Sequence, residues 1–211
     1  METFVKSAWL LFLLLNPFLM SVYLIALIRD LDRPAFALVM RRAHLVALGV
    51  FGSFAVLGDA LFTRVFNVRF ASFLIFGGIV FLLIGIRSVF SGTTALFETR
   101  GTPAHLSGAV AMPFMIGPGT VSASVFAGAQ QPWPLGLAAV GTALAASYGA
   151  IVLFKRMLDR ARQRDEELVQ GYINVSGRIV ALFTGTYAIE MILRGVEIIA
   201  ADSAIWQGGV S

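Results

Sequence analysis

The sequence contains no cysteine and only two histidines among its 211 residues. The absence of cysteine excludes disulfides, thiolate metal sites and thiol redox chemistry. No His-x-x-x-His spacing and no pair of aspartates within an apolar segment occurs, and serines such as Ser53, Ser147 and Ser176 have no evident base nearby in the sequence. We therefore predict that the protein is not an enzyme and holds no metal or cofactor.

Charged side chains are also scarce. They make up 13% of the residues, against 58% apolar residues and a mean hydropathy of +0.83. Soluble proteins are about 25% charged and about 45–50% apolar, and only a bilayer can accommodate so much additional apolar surface. The composition predicts a polytopic integral membrane protein. Its net charge of +4 does not indicate a nucleic-acid partner, because the basic residues form short clusters between apolar runs.

Six apolar stretches are long enough to cross the lipid bilayer, which requires about 20 residues. They cover roughly residues 7–28, 43–63, 70–90, 106–129, 133–157 and 173–199, joined by polar connections of which 29–42 and 155–170 are the longest. We predict a single transmembrane domain over residues 1–211. Most basic residues lie at the span ends and connections on one side of the membrane, which is therefore predicted to be the cytoplasmic side. We predict that both termini lie on the other side, outside the cytoplasm. The first stretch is predicted to be a retained span, since it has no signal-peptide cleavage site.

Two proline-containing breaks interrupt predicted spans one and four, at Asn16-Pro17 and at Gly117-Pro118-Gly119. Proline removes a backbone donor and clashes with the preceding turn, yet it is favoured at the first position of a helix. Asn and Gly are suitable caps before it. The sequence therefore predicts half-helices over 17–28 and 118–129. Pro113 adds a second break, so that 112–119 is predicted to be unwound.

The two breaks also occupy corresponding positions in a weak internal repeat. Residues 16–21 align with 117–122, and residues 86–92 align with 189–195 at nearly the same offset. Each half, about 1–92 and about 105–199, holds three predicted spans, and an odd number requires that the halves be inverted in the membrane. The predicted fold class is an all-α membrane protein of six transmembrane helices, arranged as two inverted three-helix repeats with broken helices in spans one and four.

These breaks define a candidate binding site. Irregular backbone at membrane depth is tolerated where protein buries it or water reaches it. Two facing half-helix N-termini would present N–H groups and partial positive charge to a carboxylate. The alternative is a packing kink that binds nothing. The candidate substrate-binding residues are Asn16, Pro17, Ser21, Met112, Pro113, Gly117, Pro118, Gly119, Thr120 and Ser122.

Charged residues near the span ends leave two interpretations open. Asp59 and Glu190 are candidates for proton or ion coupling, because charge within a membrane is costly and often functional. Each has a simpler explanation as an ion pair, Asp59 with Arg64 or Arg69 and Glu190 with Arg194. The mixed-charge run 155–167 is predicted to be a solvated helical extension of span five, with a regulatory partner site as the alternative.

The string Ala111-Met112-Pro113-Phe114-Met115-Ile116-Gly117-Pro118-Gly119-Thr120, together with the Asn16-Pro17 break and Gly77-Gly78-Ile79 through Gly85-Ile86-Arg87, resembles the MarC family of bacterial inner-membrane proteins. The resemblance covers essentially the whole chain. It implies membership of the LysE-like exporters, a multi-pass inner-membrane location, and secondary transport of small neutral amino acids such as glycine and alanine, coupled to a cation gradient. The chain departs from the family after Asn16-Pro17, where Phe18-Leu19-Met20 replaces small polar residues.

With that resemblance, the sequence predicts a transporter whose partners are a small amino acid and the lipid bilayer, with a homo-oligomer left open. The half-helix amides, with Asn16 and Thr120, would bind the carboxylate, and carbonyls near Met112 to Ile116 would bind the ammonium. The alternatives are an exporter or channel for another small metabolite or ion, and a membrane scaffold that transports nothing.

Overall fold

The computed structural model describes residues 1–58, 60–65, 67–91, 102–162 and 166–208, and the regular structure within these ranges is helical. The helices are α1 (Glu2–Leu15), α2 (Pro17–Tyr23), α3 (Ile25–Asp30), α4 (Arg33–Leu57), α5 (Phe70–Ser91), α6 (Pro103–Val110), α7 (Pro118–Ala129), α8 (Trp133–Arg162) and α9 (Glu166–Gly208), with π-helical segments at Leu61–Val65 and Ala111–Met115.

Five helical stretches in the described ranges are long and apolar enough to cross a membrane. They are Glu2–Tyr23, Arg33–Leu57, Phe70–Phe90, Trp133–Ala161 and Gly177–Ala201. Predicted span four is not among them, because it is divided into α6 of 8 residues, a π segment of 5 and α7 of 12. A piece this short cannot span the roughly 30 Å of hydrocarbon alone. The protein is therefore a multi-pass, all-helical membrane protein with at least one strongly interrupted segment.

The start of α4 corrects the predicted polar connection 29–42. The helix begins at Arg33 rather than near residue 43, with Pro34 in its first turn. The Asp32 carboxylate accepts a hydrogen bond of 2.9 Å from the Ala35 N–H and so caps the helix. A capping aspartate followed by proline is a strong start signal, but hydropathy detects only the apolar residues that come later.

Lys155 corrects the predicted solvated extension of span five. Helix α8 does continue to Arg162, and the expected pair with Asp159 is present at 2.9 Å. The Lys155 side chain is nevertheless only 6% exposed. Its ammonium also donates to the carbonyl oxygens of Ile28 at 2.5 Å and Leu31 at 2.9 Å. The lysine therefore satisfies carbonyls at the C-terminal end of α3, which have no partner within that helix.

The helices form two packed groups. In the larger one, α1 packs on α8, α7 packs on α4, and α4 packs on α8. In the smaller one, α5 and α9 pack against each other along much of their lengths. Glycines allow that close approach: a Cβ added at Gly78 would lie 2.7 Å from the Ala188 oxygen, and one at Gly195 would lie 2.9 Å from the Ala71 oxygen. Small residues at such contacts permit close backbone packing in membrane proteins.

Gly128 provides a test of the packing of α7 on α4. A Cβ added there would lie 1.7 Å from the Ala55 backbone oxygen, whereas one at Gly141 of α8 would meet nothing within 4 Å. We expect Gly128→Ala to lower the free energy of unfolding by about 1–3 kcal/mol through overpacking. Gly141→Ala, the matched control, should be neutral or stabilising by up to about 1 kcal/mol. Denaturant titration in detergent measures both, and equal effects would contradict this packing.

Lys155 provides a second test. Lys155→Met leaves the Ile28 and Leu31 carbonyls without their observed donor and should cost roughly 1–3 kcal/mol of unfolding free energy. The neighbouring Arg156 is exposed, so Arg156→Met should change stability by less than about 0.5 kcal/mol. The same titration compares them. Comparable stability in the two variants would show that Lys155 does not hold the end of α3.

Candidate functional site

The first break lies at Asn16, where α1 ends and α2 begins. Asn16 has left-handed backbone angles, φ 41° and ψ 72°, a conformation that asparagine adopts more readily than other residues with a Cβ. Its side-chain oxygen accepts a hydrogen bond of 3.1 Å from the Leu19 N–H. The predicted cap at Asn16 is therefore confirmed. The predicted half-helix 17–28 is instead divided at Leu24 into α2 and α3.

The second break lies between α6 and α7. The backbone leaves helical geometry at Met112 (φ −119°, ψ 127°), and Ile116 and Gly117 are extended. Helix α7 then begins at Pro118 and ends at Ala129, so the predicted half-helix 118–129 with its cap at Gly117 is confirmed. The predicted unwinding over 112–119 is partly correct, because residues 118 and 119 already belong to α7.

The Thr120 hydroxyl holds this second break together. It accepts a hydrogen bond of 3.0 Å from the Gly117 N–H. The same oxygen lies 2.8 Å from the Met115 carbonyl oxygen and 2.9 Å from the Gly117 carbonyl oxygen, and its single proton is donated to one of these two acceptors. Thr120 is only 6% exposed. One side chain thus satisfies backbone groups on both sides of the break, where no regular helix provides partners.

The two breaks line one cavity of about 330 Å³, which we call the central pocket. This volume lies at the lower end of the roughly 300–1,000 Å³ typical of small-molecule sites. Its walls come from both helix groups: the α1–α2 break, the start of α7, and facing parts of α5 and α9. The pocket is lined by Leu13, Leu14, Leu15, Asn16, Leu19, Met20, Tyr23, Phe81, Phe114, Met115, Gly117, Pro118, Gly119, Thr120, Phe183, Thr184, Tyr187 and Met191.

A polar link crosses the pocket between α2 and α9. The Tyr23 hydroxyl is hydrogen-bonded to the Thr184 hydroxyl, and the Thr184 hydroxyl donates to the Val180 carbonyl at 3.0 Å. Tyr23, Thr184 and Tyr187 were not predicted from the sequence as site residues. A signal was present, because Thr184 and Tyr187 are polar, lie three residues apart within an apolar span, and so share one helix face.

The structure brings only part of the predicted site together. Asn16, Gly117, Pro118, Gly119 and Thr120 line the central pocket. Pro17 is the first residue of α2, and the buried Ser21 hydroxyl donates back to the Pro17 carbonyl at 2.7 Å. Met112 is 63% exposed and shares its π segment with Pro113. Ser122 lines a neighbouring cavity.

That neighbouring cavity, which we call the side cavity, has a volume of about 420 Å³. It contains the predicted pair of Glu190 and Arg194, which the structure confirms: Arg194 Nε lies 2.8 Å from Glu190 Oε1. The alternative role of Glu190 in ion coupling stays a prediction. Asp59, with its expected pairing to Arg64 or Arg69, lies outside the described residues.

The buried His44 makes polar contacts within its own helix and with α8. His44 Nδ1 lies 2.8 Å from the Met40 carbonyl oxygen, and His44 Nε2 lies 3.5 Å from the Ser147 hydroxyl of α8. In the described part of the chain, histidine, aspartate and glutamate form no group of three or more that could hold a metal ion.

A family model described as MarC family integral membrane protein matches residues 1–200. The chain belongs to the MarC family. Membership confirms the resemblance carried by the Met112-to-Thr120 string, and in this MarC protein that string forms the second break and the start of α7. Neither a curated protein nor a solved structure matches the chain.

The hydroxyl of Thr120 gives a direct test of how the second break is held. Thr120→Val removes the acceptor of the Gly117 N–H and should lower the unfolding free energy by about 1–3 kcal/mol. Thr120→Ser retains the hydroxyl and should lose less than about 1 kcal/mol. Thermal unfolding in detergent compares the variants. A valine variant as stable as the serine variant would show that the hydroxyl does not hold the break.

Proposed function

We propose that this MarC protein is a secondary transporter of small neutral amino acids, of the glycine and alanine class, which works by alternating access around the central pocket. One observation carries the proposal: both interruptions of the helical backbone line the same small cavity. An interrupted helix that served only as a packing kink would not require a second interruption at the same cavity. Paired broken helices around a substrate site are a recurring design in secondary transporters.

The start of α7 supports a carboxylate site in this pocket. Gly119 and Thr120 contribute N–H groups that precede the first regular hydrogen bond of the helix, from Val121 N to Gly117 O at 2.9 Å. A helix N-terminus presents partial positive charge and donors to an anion. Gly119 has no side chain to keep a ligand away from these amides. Asn16 lies on the same cavity and adds a polar amide.

The rest of the pocket favours a small, uncharged side chain. Apolar residues such as Leu19, Phe81 and Met191 form most of the lining, and the cavity is small. A charged side chain there would lose its hydration without gaining a partner. We assign the ammonium group to the part of the pocket lined by Phe114 and Met115 of the second break and by Tyr23, whose carbonyl and hydroxyl oxygens can accept hydrogen bonds.

The packing pattern supports six spans in two inverted repeats. If residues 103–129 form the interrupted fourth span, the packing of α1 on α8 corresponds to that of α6 on α4 under exchange of the two halves, and the packing of α2 on α8 corresponds to that of α7 on α4. The contact of α4 with α8 and that of α5 with α9 each join corresponding helices of the two halves. Such contacts are expected at the pseudo-two-fold axis that relates inverted repeats. Six spans place both termini on one side of the membrane, and the distribution of basic residues assigns that side to the exterior of a bacterial inner membrane.

The boundary between the helix groups suggests how access alternates. The central pocket lies between the α5–α9 pair and the larger group. Movement of the pair against the larger group would open the pocket to one face and close it to the other. Such rocking of one bundle against another is the usual form of alternating access.

The proposal predicts saturable counterflow of glycine in proteoliposomes. Asn16→Ala and Thr120→Ala should each reduce the initial rate by about tenfold or more, because the first removes a polar group at the proposed carboxylate site and the second removes the hydroxyl that holds the α7 amides in position. Thr120→Ser should retain most activity. Ser53→Ala is the matched control: Ser53 is exposed on α4, away from both cavities, and its hydroxyl bonds to the Gly49 carbonyl.

Unchanged counterflow in both alanine variants would remove the site assignment. Non-saturable flux without counterflow would favour a channel, and the absence of glycine flux in the unmodified protein would overturn the proposed substrate class.

A further inference from the structure

The central pocket and the side cavity are separated by a single layer of residues. Both are lined by Leu14, Pro118, Gly119, Tyr187 and Met191. Only Tyr187 in this shared wall carries a polar side-chain group, and 52% of its surface is exposed. The wall is therefore thin, and its only polar side chain is an aromatic one.

Within this wall, Tyr187 lies close to Gly119. A Cβ added at Gly119 would lie 3.3 Å from the Tyr187 hydroxyl oxygen and 3.9 Å from Leu14 Cδ2. The Tyr187 hydroxyl thus lies next to the first turn of α7. It has room there because Gly119 has no side chain. Rotation of the Tyr187 side chain would join the two cavities, and a side chain at residue 119 would obstruct the passage.

The far side of this wall carries two opposite charges. In the side cavity, Arg194 and Glu190 form an ion pair at 2.8 Å, with side chains 67% and 50% exposed, and the exposed Ser122 lies on the same cavity. Exposed pairs at i,i+4 spacing are weak. A zwitterionic amino acid can break this ion pair and form two ion pairs of its own. Its ammonium would bind Glu190 and its carboxylate would bind Arg194.

We propose that the side cavity is a second binding station for zwitterionic amino acids, held by Glu190 and Arg194, and that Tyr187 over Gly119 is the gate between this station and the central pocket. The substrate class rests on the proposed function. The station and the gate can be tested without measuring transport.

The absence of cysteine from the sequence allows single-cysteine reporters to test the gate. Thr184→Cys and Leu19→Cys report on the central pocket, and Ser122→Cys reports on the side cavity. A membrane-impermeant methanethiosulfonate is applied to sealed vesicles of each orientation, and the face from which Ser122→Cys reacts defines the side of the station.

From that face, adding Tyr187→Ala should raise the labelling rate of both central-pocket reporters by about tenfold, and adding Gly119→Ala should lower it several-fold. The rate for Ser122→Cys should stay within about twofold, which excludes general loosening of the fold. Central-pocket rates that respond to neither substitution would overturn the gate.

Glycine protection tests the station. Glycine should slow the labelling of Ser122→Cys, while acetate or methylammonium alone should not, because each supplies only one of the two charges. Glu190→Gln and Arg194→Gln should each abolish protection and raise the KM for glycine uptake several-fold while leaving the maximal rate unchanged. Lys6→Gln is the matched control, since it breaks the exposed pair with Glu2, away from both cavities.

Protection without transport in the unmodified protein would support the station and overturn the proposed function. Transport of glycine without protection of Ser122→Cys, or protection that survives both charge substitutions, would overturn the station and leave the proposed function standing.

Discussion

A backbone that leaves helical geometry inside a membrane must find partners for its N–H and C=O groups, because hydrocarbon supplies none. This constraint governs the structure. At the first break, the Asn16 side chain accepts a hydrogen bond from the Leu19 N–H. At the second, the Thr120 hydroxyl accepts one from the Gly117 N–H and lies within hydrogen-bond distance of the Met115 carbonyl. The backbone groups at both interruptions therefore have partners, and Gly119 and Thr120 at the start of α7 line the central pocket.

The same constraint explains why the surroundings of the breaks are closely packed. Gly77 of α5 accommodates the Pro118 ring, since a Cβ there would lie 2.5 Å from Pro118 Cγ. Lys155 holds the end of α3, on the chain segment that follows the first break. Tyr23 and Thr184 join α2 to α9 across the pocket. Residues of α5, α8 and α9 thus contact the breaks or the segments that follow them, although α5 and α9 pack mainly against each other.

Local sequence signals predicted the breaks well. Asn-Pro and Gly-Pro each combine a cap with a favoured first residue, so both half-helix starts followed from short-range chemistry. The longer-range features did not follow. Which face of α9 meets the pocket depends on packing at Gly78 and Gly195, and the burial of Lys155 depends on α3 lying beside α8. The start of α4 was missed for another reason, because hydropathy overlooks a polar cap such as Asp32.

In the proposed mechanism, the amides at the start of α7 bind the carboxylate of a small amino acid. Solid-state NMR tests it by measuring the dipolar coupling between carboxyl-labelled [¹³C]glycine and protein labelled with ¹⁵N-threonine in lipid. The account predicts a carbon–nitrogen distance of about 4 Å, as expected for a hydrogen-bonded carboxylate, and loss of that coupling in Thr120→Ser, which keeps the hydroxyl but removes the label. Bound glycine without any such coupling would contradict the account.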